Sequence, residues 1–70
     1  MDKQTKTATE LEEIVKTRIG AGDFRVTVHR NTEAGWHAMI HGRHPTEVHR
    51  CQVIADTITT ELCQHFNLIE

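Results

Sequence analysis

Two hydrophobic periods run along the chain, one after the other. Ala8, Leu11, Ile14, Val15 and Ile19 recur at spacings of three and four, which places them on one face of a helix over 8–19. Thr7 and Glu10 stand at the spacing of a capping box, in which each side chain bonds the other residue's backbone N–H. Glutamates 10, 12 and 13 lie at the positive end of the helix dipole, Lys16 and Arg18 lie at the negative end, and Gly20 supplies the stop.

From Phe24 the period changes to two. Phe24, Val26 and Val28 alternate with Arg25, Thr27 and His29, and Trp36, Ala38 and Ile40 alternate with His37, Met39 and His41. Such alternation, rich in β-branched and aromatic residues, reads as two strands. The stretch 31–35 between them is a hairpin loop, with Gly35 suited to a positive φ.

After Pro45, a residue suited to a first helical turn, the period returns to 3.6. On a helical wheel with Ile58 at 0°, the residues Ile54, Cys51, Leu62, Ala55, Val48 and Phe66 fall between about −40° and +80°. His65 joins that stripe, and Val53 lies on the opposite side among threonines. The pattern predicts a helix running to Phe66 or Asn67.

The expectation is an α+β fold of order α-β-β-α, with one antiparallel hairpin covered on one face by two helices. Residues 1–6 read as a flexible tail and 7–70 as one domain. A two-stranded sheet alone is marginal and leaves two open edges. Edge-to-edge pairing in a homodimer would complete a four-stranded sheet, so a second copy of the chain is the first partner expected. Small domains often add a disulfide, a metal or a partner subunit to a limited core.

Composition changes this picture little. The chain has 70 residues, 37% hydrophobic and 26% charged, with a net charge of −2. Apolar runs never exceed three residues, and the charged start lacks the apolar stretch of a signal peptide; no membrane span is expected, and the cytoplasm is the expected location. Cys51 and Cys63, twelve residues apart on one helix, would lie about 18 Å apart and cannot bond each other. They read as reduced thiols.

Histidine distribution changes it more. Five of the six histidines (His29, His37, His41, His44 and His49) fall within 21 residues. Residues 24–50 carry four arginines against two glutamates, a charge of +2 inside an acidic chain. That charge grows below about pH 6.5, where imidazole titrates.

These residues bear on three kinds of chemistry. If His29 and His37 pair directly across the hairpin, their β-carbons lie about 5 Å apart, close enough to share a transition metal. His37 and His41, at about 13 Å along one strand, cannot share one. The outer hairpin face, with Arg25, Thr27, His29, His37, Met39, His41 and Arg43, is the candidate contact surface for another macromolecule. Nucleic acid is the less favoured partner, because Phe24, Trp36 and Phe66 all point to the core and leave nothing to stack on bases. Catalysis is not expected. The chain has no serine, which excludes a Ser-His-Asp triad, and it shows neither a phosphate-cradling glycine loop nor a paired-carboxylate motif. No cofactor is implied. The function read from the sequence is a small non-enzymatic binding or regulatory domain, with weak metal binding or nucleic-acid regulation as alternatives.

Overall fold

The computed structural model describes residues 3–20, 22–31 and 35–69. Six elements follow in order: β1 (Gln4–Thr7), α1 (Ala8–Ile19), β2 (Phe24–Asn31), β3 (Gly35–Gly42), α2 (Pro45–Leu62) and β4 (Phe66–Ile69). The fold is α+β, with two helices, an antiparallel β2–β3 hairpin and a separate parallel pair of β1 with β4.

Helix α1 begins as the capping box predicts. Thr7 Oγ1 accepts the Glu10 N–H at 3.2 Å, and Glu10 Oε1 accepts the Thr7 N–H at 3.0 Å. These bonds satisfy two backbone donors that would otherwise lack helical partners. The bonds that Glu10 accepts from Thr7 are stronger to the ionised carboxylate, so its carboxyl is held below the ordinary value, first by the backbone and then by the side chain of Thr7. Gly20 closes the helix at φ +107°, and its N–H reaches the Lys16 carbonyl.

The hairpin follows the alternation. Val26, Val28, Trp36, Ala38 and Ile40 are buried, and they form one core with Leu11 and Val15 of α1 and Cys51, Ala55, Ile58 and Leu62 of α2. Both helices therefore cover the same face of the sheet. Gly35 has φ +91°, as the loop reading required; residues 32–34 lie outside the described residues.

Three expectations are corrected. Residues 4–6 of the stretch read as a loose tail, together with Thr7, form β1 and pair in parallel with β4. The Gln4 N–H donates to the His65 carbonyl, and the Lys6 ammonium sits 5.7 Å from the centre of the Phe66 ring. The second helix stops at Leu62 rather than at Phe66 or Asn67. A turn through Cys63, Gln64 and His65 leads into β4, where Phe66 and Leu68 are half-buried and Asn67 and Ile69 exposed. The order is thus β-α-β-β-α-β. His65, assigned to the apolar stripe, is exposed in that turn.

The buried arc of α2 is also rotated from its expected position. Ile54 is 40% exposed, whereas Thr59 is buried. On the wheel used above, burial runs from Ile58 at 0° to Thr59 at about +100°. Beyond Thr59, at about +120° and +140°, come Gln52 and Cys63, both of which bond the backbone of β3.

Those bonds close the open edge of β3. Gln52 Oε1 accepts the Ile40 N–H at 2.9 Å, and its Nε2 donates to the Ala38 carbonyl at 3.0 Å. The Cys63 thiol donates to the Trp36 carbonyl at 3.3 Å. On the opposite edge Glu12 of α1 accepts the Val28 N–H at 3.0 Å. A helix side chain thus stands where a neighbouring strand would otherwise pair. Among the described residues, no helix is long and apolar enough to cross a membrane.

Candidate functional site

The face of the hairpin turned away from the helices carries the chemistry. Register pairs Arg25 with His41, Thr27 with Met39, and His29 with His37. Side chains directly opposite one another on an antiparallel pair are in contact range. The residues Arg25, Thr27, His29, His37, Met39 and His41 therefore form two short rows on one surface.

Hydrogen bonds knit the rows together. Thr27 Oγ1 lies 2.8 Å from His41 Nε2 and 3.0 Å from His29 Nε2. A hydroxyl has one proton, so Thr27 donates to one imidazole and accepts from the other, or accepts from both. The His29 and His37 rings stand 5.6 Å apart between centroids, tilted by 32°. Met39 is 42% exposed and supplies the apolar centre of the surface.

The remaining residues singled out in the sequence lie elsewhere. Arg43 is exposed in the bend beyond Gly42, the last paired residue of β3. His44 is the N-terminal cap residue of α2 and makes no side-chain capping bond, and His49 is exposed on that helix. Arg30 lies opposite Trp36, so its position belongs to the core-facing row at the hairpin rim. Arg50 pairs with Glu47 at 2.7 Å. Three of the five clustered histidines are thus brought together, and two are not.

As a metal centre the face is limited. His29 and His37 sit opposite each other, as sharing an ion requires, but His29 Nε2 is engaged by Thr27 and His37 Nδ1 is buried. Among the described residues, no group of three His, Cys, Asp or Glu side chains converges to hold an ion. Structural zinc takes four protein ligands, so this face alone offers half a set. Cys51 is buried, and both cysteines are free thiols.

Sequence reasoning missed a second group of polar side chains. His37, Asp56, Thr59, Thr60 and Cys63 line a cleft between the edge of β3 and the C-terminal half of α2. Thr59 and Cys63 reach it because the buried arc of α2 is rotated towards β3; the periodicity gave no sign of that rotation.

The chain matches no family model, no curated protein and no solved structure. Its chemistry is therefore read from its own residues.

Proposed function

We propose that this protein is a non-enzymatic binding domain that holds an acidic polypeptide surface against the outer face of its hairpin. The observation that supports this most is the register. It sets Arg25 beside His41 and His29 beside His37 on the one sheet face that neither helix covers. Arginine supplies a fixed charge, the imidazoles supply hydrogen-bonding nitrogens, and Met39 supplies apolar contact. The aromatics argue for protein over nucleic acid. Trp36 is fully buried and Phe24 and Phe66 pack on the core, so the face offers no Phe or Trp ring for base stacking, only imidazoles.

The test is fluorescence anisotropy with a labelled glutamate-rich peptide. Saturable binding that weakens with salt is expected, and Arg25→Ala combined with His41→Ala should weaken it at least tenfold. Absence of binding, or equal binding by the double variant, overturns the proposal.

A second reading, weak transition-metal binding, is favoured by the direct opposition of His29 and His37. Calorimetric titration with nickel should show heat that His29→Ala abolishes; an unchanged titration removes this reading. Homodimerisation through the hairpin remains a proposal of a different kind. At β3 it requires Gln52 to release both Ile40 and Ala38 before another strand can pair there.

A further inference from the structure

Two residues that line the cleft between β3 and α2 carry a buried polar atom without a partner among the described residues: His37 its Nδ1 and Thr59 its Oγ1. Thr59 is only 7% exposed. Its neighbours show that a local solution was at hand. The Thr57 and Thr60 hydroxyls fold back onto the carbonyls of Val53 and Asp56, four residues earlier, whereas the Thr59 hydroxyl makes no such bond. Buried polar groups are nearly always paired, so an unpaired couple beside one cleft calls for an occupant.

The lining groups specify what that occupant must offer. The Thr60 hydroxyl proton is committed to the Asp56 carbonyl, and the Cys63 thiol proton to the Trp36 carbonyl. Both therefore turn only lone pairs outward. Asp56 accepts from Gln52 Nε2 through Oδ1 and keeps further acceptor capacity. His37 Nδ1 is an acceptor when its ring proton sits on Nε2. Among the described residues, no lysine or arginine lines the cleft. An acceptor-rich cleft with one carboxylate and no cation suits a ligand that brings N–H donors and positive charge. The volume is about 270 Å³.

From these observations we propose that the β3–α2 cleft binds a primary alkylammonium group. The ammonium would sit between Asp56 and the Thr59 hydroxyl, with its alkyl stem along the cleft wall. The group belongs either to a free small amine or to a lysine side chain of a partner. This site shares His37 with the outer hairpin face but has its own residues on α2, so a loss caused by Asp56→Asn or Thr59→Val distinguishes it from that face.

The experiment is a titration of the ¹⁵N-labelled protein with n-butylammonium chloride at constant ionic strength, followed by amide shifts. Saturable shifts confined to the segment 56–63 and to His37 are expected. Asp56→Asn and Thr59→Val should each raise the dissociation constant at least fivefold without lowering the melting temperature. Tetramethylammonium, which has the charge but no N–H, should bind at least tenfold more weakly. A lysine blocked at both backbone ends distinguishes the sources. Tighter binding than butylammonium identifies a partner's side chain, and weaker binding identifies a free amine. No saturable shift, an equal response to tetramethylammonium, or indifference to both substitutions overturns the site and leaves only water in the cleft.

Discussion

Thr59 shows how one side chain can be legible in type and illegible in role. In the sequence it is one of three threonines, Thr57, Thr59 and Thr60, within four residues of a helix, and each reads as a weak helix former. In the fold it is the one whose hydroxyl is buried without a partner. An unpartnered buried hydroxyl loses its hydration with no bond in return, at a cost of about 1–3 kcal/mol. Thr59→Val keeps the shape and removes that cost. It should stabilise the free protein by about 1 kcal/mol, read from urea unfolding. A clear loss of stability would mean that the hydroxyl has a bond partner after all. The outer-face residues were more legible. Alternation fixes which side Arg25, Thr27, His29, His37, Met39 and His41 share, although only the register establishes that His29 faces His37. The bond from Thr27 to both His29 and His41 depends on side-chain rotamers, which no pattern of residue types encodes.

Local order decides which elements could be read in advance. Helix α1 and the hairpin carry their own signals, a capping box in one and strict alternation in the other. Strands β1 and β4 carry none. Each is four residues long, and they pair across nearly the whole chain. Gln-Thr-Lys-Thr is an ordinary polar tail until β4 lies beside it. The end of α2 was misread for a related reason. Phe66 and Leu62 both suit the apolar stripe, so the wheel continued through the turn that separates them.

Two predictions belong to this scale. The folded pKa of Glu10 is lowered, so its contribution to stability is complete above the ordinary value of 4.5 and fades as pH falls through the lowered folded value. Glu10→Gln retains a capping acceptor without the charge. Its melting temperature should therefore fall less steeply than that of the parent protein in acid; parallel curves would contradict this role. The second prediction concerns the β3 edge. Gln52→Ala leaves the Ile40 N–H and Ala38 carbonyl without their side-chain partner, which should cost about 1–2 kcal/mol and promote self-association through the exposed edge. Sedimentation velocity would show a concentration-dependent dimer in the variant. A strictly monomeric variant would show that Gln52 is not what guards the edge.

For the molecule as a whole, thickness is informative. The principal extents are 38 × 20 × 19 Å. Two layers, a sheet and one set of helices, account for about 20 Å, since packed layers lie roughly 10 Å apart. Among the described residues no second helical layer covers the hairpin, and its outer face is left to Arg25, Thr27, the three histidines and Met39. This two-layer arrangement with a basic bare face follows from the sequence, because alternation and charge point the same way there. The β3–α2 cleft does not follow, because it arises from how far α2 turns about its axis as it packs.

The central claim is that the bare face is a binding surface, and amide mapping tests it most directly. The ¹⁵N-labelled protein would be titrated with a glutamate-rich peptide at low and then raised salt. Shifts should centre on Arg25, Thr27, His29, His37, Met39 and His41, with loss of binding in salt. Shifts spread over the helices, or a face that stays silent at low salt, would contradict it.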